Sequence, residues 1–308
     1  MVQEALTLDT EPTVYLNGRY LPRQEAQLPL EERSTLFGEG VYEVVRVYNG
    51  HPFALDEHLE RMHNSLRGIG IADDKSHAEC AKLREVSQEL LKVHDLTEAL
   101  IYWQITRGIS QPRSFLFKQD DQVTVFAMAY PVGAIDPAAA PPTTTAMVTT
   151  DERWANCWIK STMLLPNNLA YNRAREAGYG AAIMHREGVI TEATSANLFI
   201  VKDGVLYTHP DNGRILNGIT RQVLIDLARE LGIEVHESEY RLADLAGADE
   251  AFLAGTTTHV TPILQIDGRD VGSGTIGEVS LRLHEALMAR IAQTCGMEAP
   301  VCTVDTPG

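Results

Sequence analysis

The sequence predicts a mixed α/β (α+β) chain built as two domains, and three observations carry that expectation. Runs rich in apolar, β-branched and aromatic residues meet at Asn17-Gly18, Asn49-Gly50, Glu187-Gly188, Asp203-Gly204 and Asp267-Gly268, dipeptides that favour tight hairpins. Other stretches repeat apolar residues at every third and fourth position, as helices do. Between the halves runs "PVGAIDPAAAPPTTT", Pro131 to Thr145, which is rich in Pro and Ala and lacks a period, so it reads as a linker. The expected division is an N-terminal α/β domain over 1–131, a linker over 132–142 and a C-terminal domain over 143–308.

The elements follow in order. "TVYLNGRYLP" and "GVYEVVRVYNGHPFAL" read as hairpins. A helix then starts near Asp56, which is placed to cap it, and carries Leu59, Met62, Leu66 and Ile69 on one face. A second helix is expected over Lys75 to Val93, then strands "ALIYWQITRG" and "QVTVFAMAYP". The second half is expected to be strand-rich with three helices. One is "GITRQVLIDLAREL", with Ile219, Val223, Leu224, Leu227 and Leu231 on one side and Gly232 as its stop. Another runs from Gly277 to Cys295. "AFLAGTTTHVTPILQIDGRDV" reads as strand, loop and hairpin.

Bulk composition narrows the function classes. The 308 residues are 44% hydrophobic and 22% charged, ordinary for a globular chain. A net charge of −16 disfavours a nucleic-acid partner, because phosphate binding needs clustered Lys and Arg. No apolar run is long enough to cross a bilayer, and "MVQEALTLDTEP" lacks the pattern of a signal peptide, so a cytoplasmic protein is expected. Cys80, Cys157, Cys295 and Cys302 form no C-x-x-C pair and are read as reduced thiols.

Lys160, inside the largely apolar run "NCWIKSTMLLPNN", raises the first chemical question. As a strand, "CWIKST" would send Trp158 and Lys160 to one face and Ile159 to the other. Lys160 then either snorkels to solvent from an edge or is a partly desolvated amine able to form a Schiff base. An anionic cofactor held by such an amine needs an anion site. Gly218-Ile219-Thr220 opens a helix, where unbonded N–H groups and the helix dipole favour phosphate. "AGTTTHV" adds Gly255 and three threonines, Thr256, Thr257 and Thr258, as hydroxyl and amide donors, Glu192 offers a carboxylate to a ring nitrogen, and Arg61 offers a guanidinium to a phosphate. Each also has an ordinary reading as a helix start, a polar turn, a loop acid or a helix's polar face.

Two patterns lead elsewhere and fail. "GSGTIG", Gly272 to Gly277, matches a dinucleotide fingerprint but lacks the following strand and acidic residue. His58 and His63 are five apart on different helical faces, and no H-E-x-x-H occurs, so no metal is expected.

Taken together, "FGEGVYEVVRVYNG", "DEHLERM", "WIKS", "TEATSANLF", "LNGITR" and "AGTTTHVTPI" resemble the fold-type IV pyridoxal-phosphate aminotransferases over nearly the whole chain, most of all their D-amino-acid (D-alanine) branch. The resemblance implies a two-layer N-terminal domain, a pseudo-barrel C-terminal domain and a homodimer. It implies pyridoxal 5′-phosphate bound covalently to Lys160, which also moves the α-proton, and paired with Glu192 at its ring nitrogen. Arg61, the Ile219 and Thr220 amides, and Thr256 or Thr257 would hold its phosphate. Tyr42 and Arg113 would take the substrate carboxylate, Arg113 from the neighbouring subunit. The implied reaction moves an amino group from a D-amino acid to a 2-oxo acid such as 2-oxoglutarate. The alternatives are a branched-chain L-amino-acid aminotransferase, a lyase of the same fold such as aminodeoxychorismate lyase, or a non-enzymatic scaffold. One departure stands out: in the D-alanine branch a histidine lies two residues after that arginine, and here "RGISQPRSFLF" puts Phe115 there.

Overall fold

The computed structural model describes residues 12–116 and 122–297, so the N-terminal stretch and Cys302 lie outside the described residues. The chain forms two compact units. One comprises the described residues up to Gly133 together with Arg153–Asn168, and the other Ala134–Glu152 with the described residues from Leu169 on. The boundary after Gly133 falls in the expected linker. The stretch around Lys160 belongs by its contacts to the first unit, although the sequence reading put it in the second. The reason is packing: Ile159 is buried in the first unit's core.

The first unit is a sheet with two helices on one face. Its elements are β1 (Thr13–Leu16), β2 (Arg19–Pro22), α1 (Arg33–Phe37), β3 (Gly40–Tyr48), β4 (His51–Pro52), α2 (Leu55–Gly68), α3 (Asp73–Val93), β5 (Ala99–Thr106) and β6 (Thr124–Pro131). The strand order is β2-β1-β6-β5-β3-β4, antiparallel throughout. Alternation sorts the faces: Val41, Val45 and Val47 of β3 and Ile101, Trp103 and Ile105 of β5 meet Met62 and Leu66 of α2 and Leu83, Val86 and Leu90 of α3. Trp103 is fully buried, and its indole N–H donates to Ser87 Oγ at 2.9 Å, so a large apolar ring enters without an unpaired donor. Asp56 does not cap α2. The N-cap is Ala54 in a left-handed conformation, and Asp56 sits in the first turn, paired with Arg84 of α3.

The second unit is a larger, curled sheet. Its elements are β7 (Thr144–Thr150), α4 (Leu165–Glu176), β8 (Ala181–Arg186), β9 (Val189–Ala193), β10 (Asn197–Lys202), β11 (Val205–Thr208), α5 (Ile219–Glu230), β12 (Val235–Glu237), α6 (Leu242–Ala246), β13 (Glu250–Gly255), β14 (His259–Ile266), β15 (Arg269–Asp270) and α7 (Glu278–Thr294); the first turn of α4 is counted with the first unit. The described part of this half thus carries a fourth, five-residue helix, α6, beyond the three expected. The strand order is β12-β11-β10-β13-β14-β7-β8-β9, with β15 beside β14. β9 also lies against β10, so the path bends back on itself. One face buries Ile183, Ile190, Leu198, Ile200, Leu253 and Ile263. On the other, Phe199 and Phe252 stack at 5.0 Å across β10 and β13, on the side of α5 and α7.

All five expected hairpins form. Both residues of each turn have positive φ, from 47° at Asn17 to 87° at Gly18, the geometry whose twist matches paired strands.

Candidate active site

The Lys160 segment is not a strand. It is an irregular turn joined to β3 by a single bridge between Ser161 and Val41. Three hydrogen bonds fix its backbone: Tyr42 N–H to Lys160 O at 3.0 Å, Thr162 N–H to Gly40 O at 2.9 Å, and Lys160 N–H to Ser65 Oγ of α2 at 3.2 Å. Ile159 drops into the core while Trp158 stays exposed and Lys160 half-buried, so the expected alternation holds without a strand. Gly68 makes room, since a Cβ there would come within 2.8 Å of Trp158 and Ile159 side-chain atoms. The result is a lysine whose Cα is pinned and whose Nζ stands 4.4 Å from the Tyr42 ring centroid. A primary amine next to an aromatic face, on a rigid backbone, is placed to act as a nucleophile or base.

Beside it lies a buried ionic cluster that the sequence reading missed. Glu43 points to the helix face of β3, fully buried. Its carboxylate accepts from Arg61 Nε at 2.7 Å and Arg61 Nη2 at 2.8 Å, and meets His58 Nδ1 at 2.7 Å. Burial alone would raise the Glu43 pKa, but Arg61 and His58 outweigh it and hold the carboxyl well below the usual range. Burial pushes His58 the other way, down from 6.5, more strongly than Glu43 lifts it. The signal was in the sequence: Glu43 shares the apolar register of Val41, Val45 and Val47, and His58 and Arg61 are one helical turn apart. Arg61 is therefore fixed in direction by a carboxylate behind it.

A second cluster steadies the loop that carries Arg113. Arg33, buried, makes a two-pronged pair with Glu39 at 2.8 and 2.7 Å and donates from Nη1 to Ser114 O at 2.7 Å. Arg107 adds its Nε to Glu39 at 2.8 Å. Burial would raise the Glu39 pKa, yet hydrogen bonds from Arg33 and Arg107 keep it lowered. Arg113 itself is exposed, with its guanidinium over the rings of Phe37 and Phe115.

In the second unit, three features meet at one edge of the sheet. Glu192 on β9 is 4% exposed and accepts from Asn197 Nδ2 at 2.9 Å and from the Leu216 N–H at 3.1 Å. Asn197 opens β10 and also donates to Leu216 O at 2.8 Å, tying the segment before α5 to the sheet. Gly218 precedes α5, and a Cβ there would collide with Asn197 Oδ1. None of the described residues caps the N–H groups of Ile219 and Thr220, which are themselves buried. The turn Thr256–Thr258 joins β13 to β14, and Gly255 at its start lies beside Ser195 and Ala196, just before Asn197.

Within that turn Thr256 is half-buried and Thr257 exposed, while Thr258 holds a buried hydroxyl with no hydrogen-bond partner. The sequence reading counted Thr258 among three threonine donors, while the resemblance pointed to Thr256 or Thr257. Open helix-start amides and an orphaned buried hydroxyl fit a phosphate, and a buried carboxylate steadied by Asn197 fits a protonated ring nitrogen. "GSGTIG" fits no phosphate, because Glu250 Oε1 and Oε2 already accept from the Val279 and Ser280 N–H groups of α7 at 2.9 and 2.8 Å. No cluster of metal-ligating side chains occurs among the described residues.

Comparison with known proteins finds relatives along most of the chain. Residues 40–266 match the family described as amino-transferase class IV. A D-alanine aminotransferase of Listeria monocytogenes serotype 1/2a (strain 10403S) is 38% identical over 293 residues, covering 92% of this chain and 97% of that protein. The branched-chain amino acid aminotransferase of Escherichia coli superposes with a TM-score of 0.82 at 30% identity, covering 96% of this chain and 98% of that one. The T.th. branched-chain amino acid aminotransferase, solved with pyridoxamine 5′-phosphate, superposes at 0.78 with 27% identity, over 94% and 96% of the two chains. The family match spans residues 40–266 and the 38% identical relative covers 92% of the chain, so the protein belongs to the class IV aminotransferases.

Proposed function

We propose that the protein is a pyridoxal-5′-phosphate-dependent aminotransferase that moves an amino group between a D-amino acid of the D-alanine type and a 2-oxo acid such as 2-oxoglutarate, giving a pyruvate-type 2-oxo acid and D-glutamate. The observation that carries the D reading is the 38% identity to a D-alanine aminotransferase over 92% of the chain. A branched-chain L-amino-acid enzyme is the second reading, supported by the solved structures that superpose on this chain.

When bound, the cofactor withdraws electrons from the substrate α-carbon. The protein's own part is to position groups and to carry a proton. Lys160 would hold the cofactor through its Nζ and, as a free amine, would carry the substrate's α-proton on that same atom. Its fixed Cα keeps that transfer short. Glu192 keeps the ring nitrogen protonated, with Asn197 and the Leu216 N–H fixing its direction. Ile219 and Thr220 amides, Thr256 or Thr257, and Arg61 take the phosphate. Tyr42 and Arg113 take the substrate carboxylate, Arg113 from a second copy of the chain, which makes the working form a homodimer; its proposed location is the cytoplasm.

The test is a chiral donor panel with 2-oxoglutarate, scored for D- and L-glutamate. D-alanine is expected to react and L-leucine not. Turnover of L-leucine alone would overturn the D assignment and favour the branched-chain reading.

A further inference from the structure

We infer that Phe37 and Phe115 are positioning residues for Arg113, holding its guanidinium against two adjoining aromatic rings in the orientation in which it receives the substrate carboxylate. The inference rests on the reading of Arg113 as a carboxylate receptor. Arg113 Cζ lies 4.6 Å from the Phe37 ring centroid and 5.5 Å from that of Phe115. The two rings are 5.6 Å apart and tilted by 48°, so cation and rings form a closed triangle. No carboxylate among the described residues pairs with Arg113. It lies on a segment that is neither helix nor strand. A free arginine there would lose rotamer entropy on taking a carboxylate. Aromatic faces restrain the guanidinium beforehand without neutralising it, which a carboxylate partner would do.

The backbone is restrained by the same neighbourhood. Arg33, on α1 with Phe37, donates to Ser114 O at 2.7 Å, next to Arg113, while its own charge is met by Glu39. Arg33 Cζ also lies 4.7 Å from the Phe37 ring, so α1 holds the loop by the peptide oxygens of Ser114 and Leu116 and by one ring. Phe115 is 79% exposed, an expensive place for a phenylalanine whose ring contacts are Phe37 and Arg113. A ring at this position offers no hydrogen-bond donor. It therefore serves the carboxylate by aiming the guanidinium.

The experiment compares Phe115→Leu, Phe115→Trp and Arg113→Gln in the cofactor-loaded enzyme, measuring KM for amino donor and for 2-oxo acid, kcat and the absorbance of the lysine-bound cofactor. Phe115→Leu keeps an apolar side chain and loses the ring. It is expected to raise both KM values by about two- to fivefold, with kcat and absorbance unchanged. Phe115→Trp restores a π face and is expected to stay near wild type. Arg113→Gln is expected to raise both KM values by about a hundredfold. Wild-type KM values in Phe115→Leu, a leucine-like tryptophan variant, or a loss confined to kcat or absorbance would overturn the positioning role. Unchanged KM values in Arg113→Gln would instead overturn the carboxylate assignment beneath it, so the two failures are separable.

Discussion

Helices α5 and α7 both begin at a glycine with extended backbone and no cap from its own side chain, yet they have opposite prospects as anion sites. At α7 the carboxylate of Glu250 occupies the Val279 and Ser280 N–H groups, and Ser280 Oγ donates to it at 2.6 Å. The helix dipole there is already answered from within the fold. At α5 no described group answers it, and the neighbouring threonine turn holds an unpartnered buried hydroxyl. A Gly-rich helix start is therefore not a phosphate site by motif. It is one when the fold leaves its donors unspent, and only tertiary partners decide that.

Removing an engaged carboxylate should cost stability, with the largest effect where it is most buried. Glu43→Gln leaves His58 and Arg61 facing a neutral amide and is expected to lose roughly 3–5 kcal/mol in denaturant titration. Acid should show the same weakness in the unmodified protein. Glu43 has a lowered folded pKa, so its contribution is present above its ordinary value of 4.5 and disappears as pH falls below that. His58, lowered from 6.5, adds in the same direction, because the unfolded chain takes up a proton that the folded one resists. Stability that held level from neutral pH down to strong acid would contradict both assignments.

The next variant makes α5 resemble α7. Thr220→Asp places a carboxylate in the first turn and is expected to weaken cofactor binding by about a hundredfold, with the cofactor-free protein melting as before. Unchanged affinity would mean that α5 is not the anchor. A smaller effect, about tenfold in cofactor affinity, is expected from Gly218→Ala, since the added Cβ displaces Asn197 and through it Glu192. Smallest is Glu250→Gln, expected to cost about 1 kcal/mol with cofactor affinity untouched. Cofactor loss in that variant would erase the contrast between the two helix starts.

Local chemistry made much of this legible in advance. Five hairpins follow from five dipeptides because positive φ at both turn positions is a demand on those residues alone. Helices α2 and α5 follow from spacing. What the sequence hid was partnership across the fold. Asp56 looked like a cap and instead pairs with Arg84, because Ala54 already turns the chain. Lys160 looked like a strand residue, but Ile159 and the bonds to β3 and Ser65 set its pose. Glu43, Asn197 and the Arg33–Glu39 pair were passed over because each is read only with its partners: Arg61 and His58 for Glu43, Glu192 and Leu216 for Asn197, Ser114 and Arg107 for the pair.

The most direct test of the site is to load the protein with pyridoxal phosphate, reduce it with borohydride and map the modified peptide by mass. The chain has six lysines, at 75, 82, 92, 118, 160 and 202, so the outcome is discrete. The label is expected on Lys160, with loss of label and of transamination together in Lys160→Ala. A label on any other lysine, or none, would contradict the account.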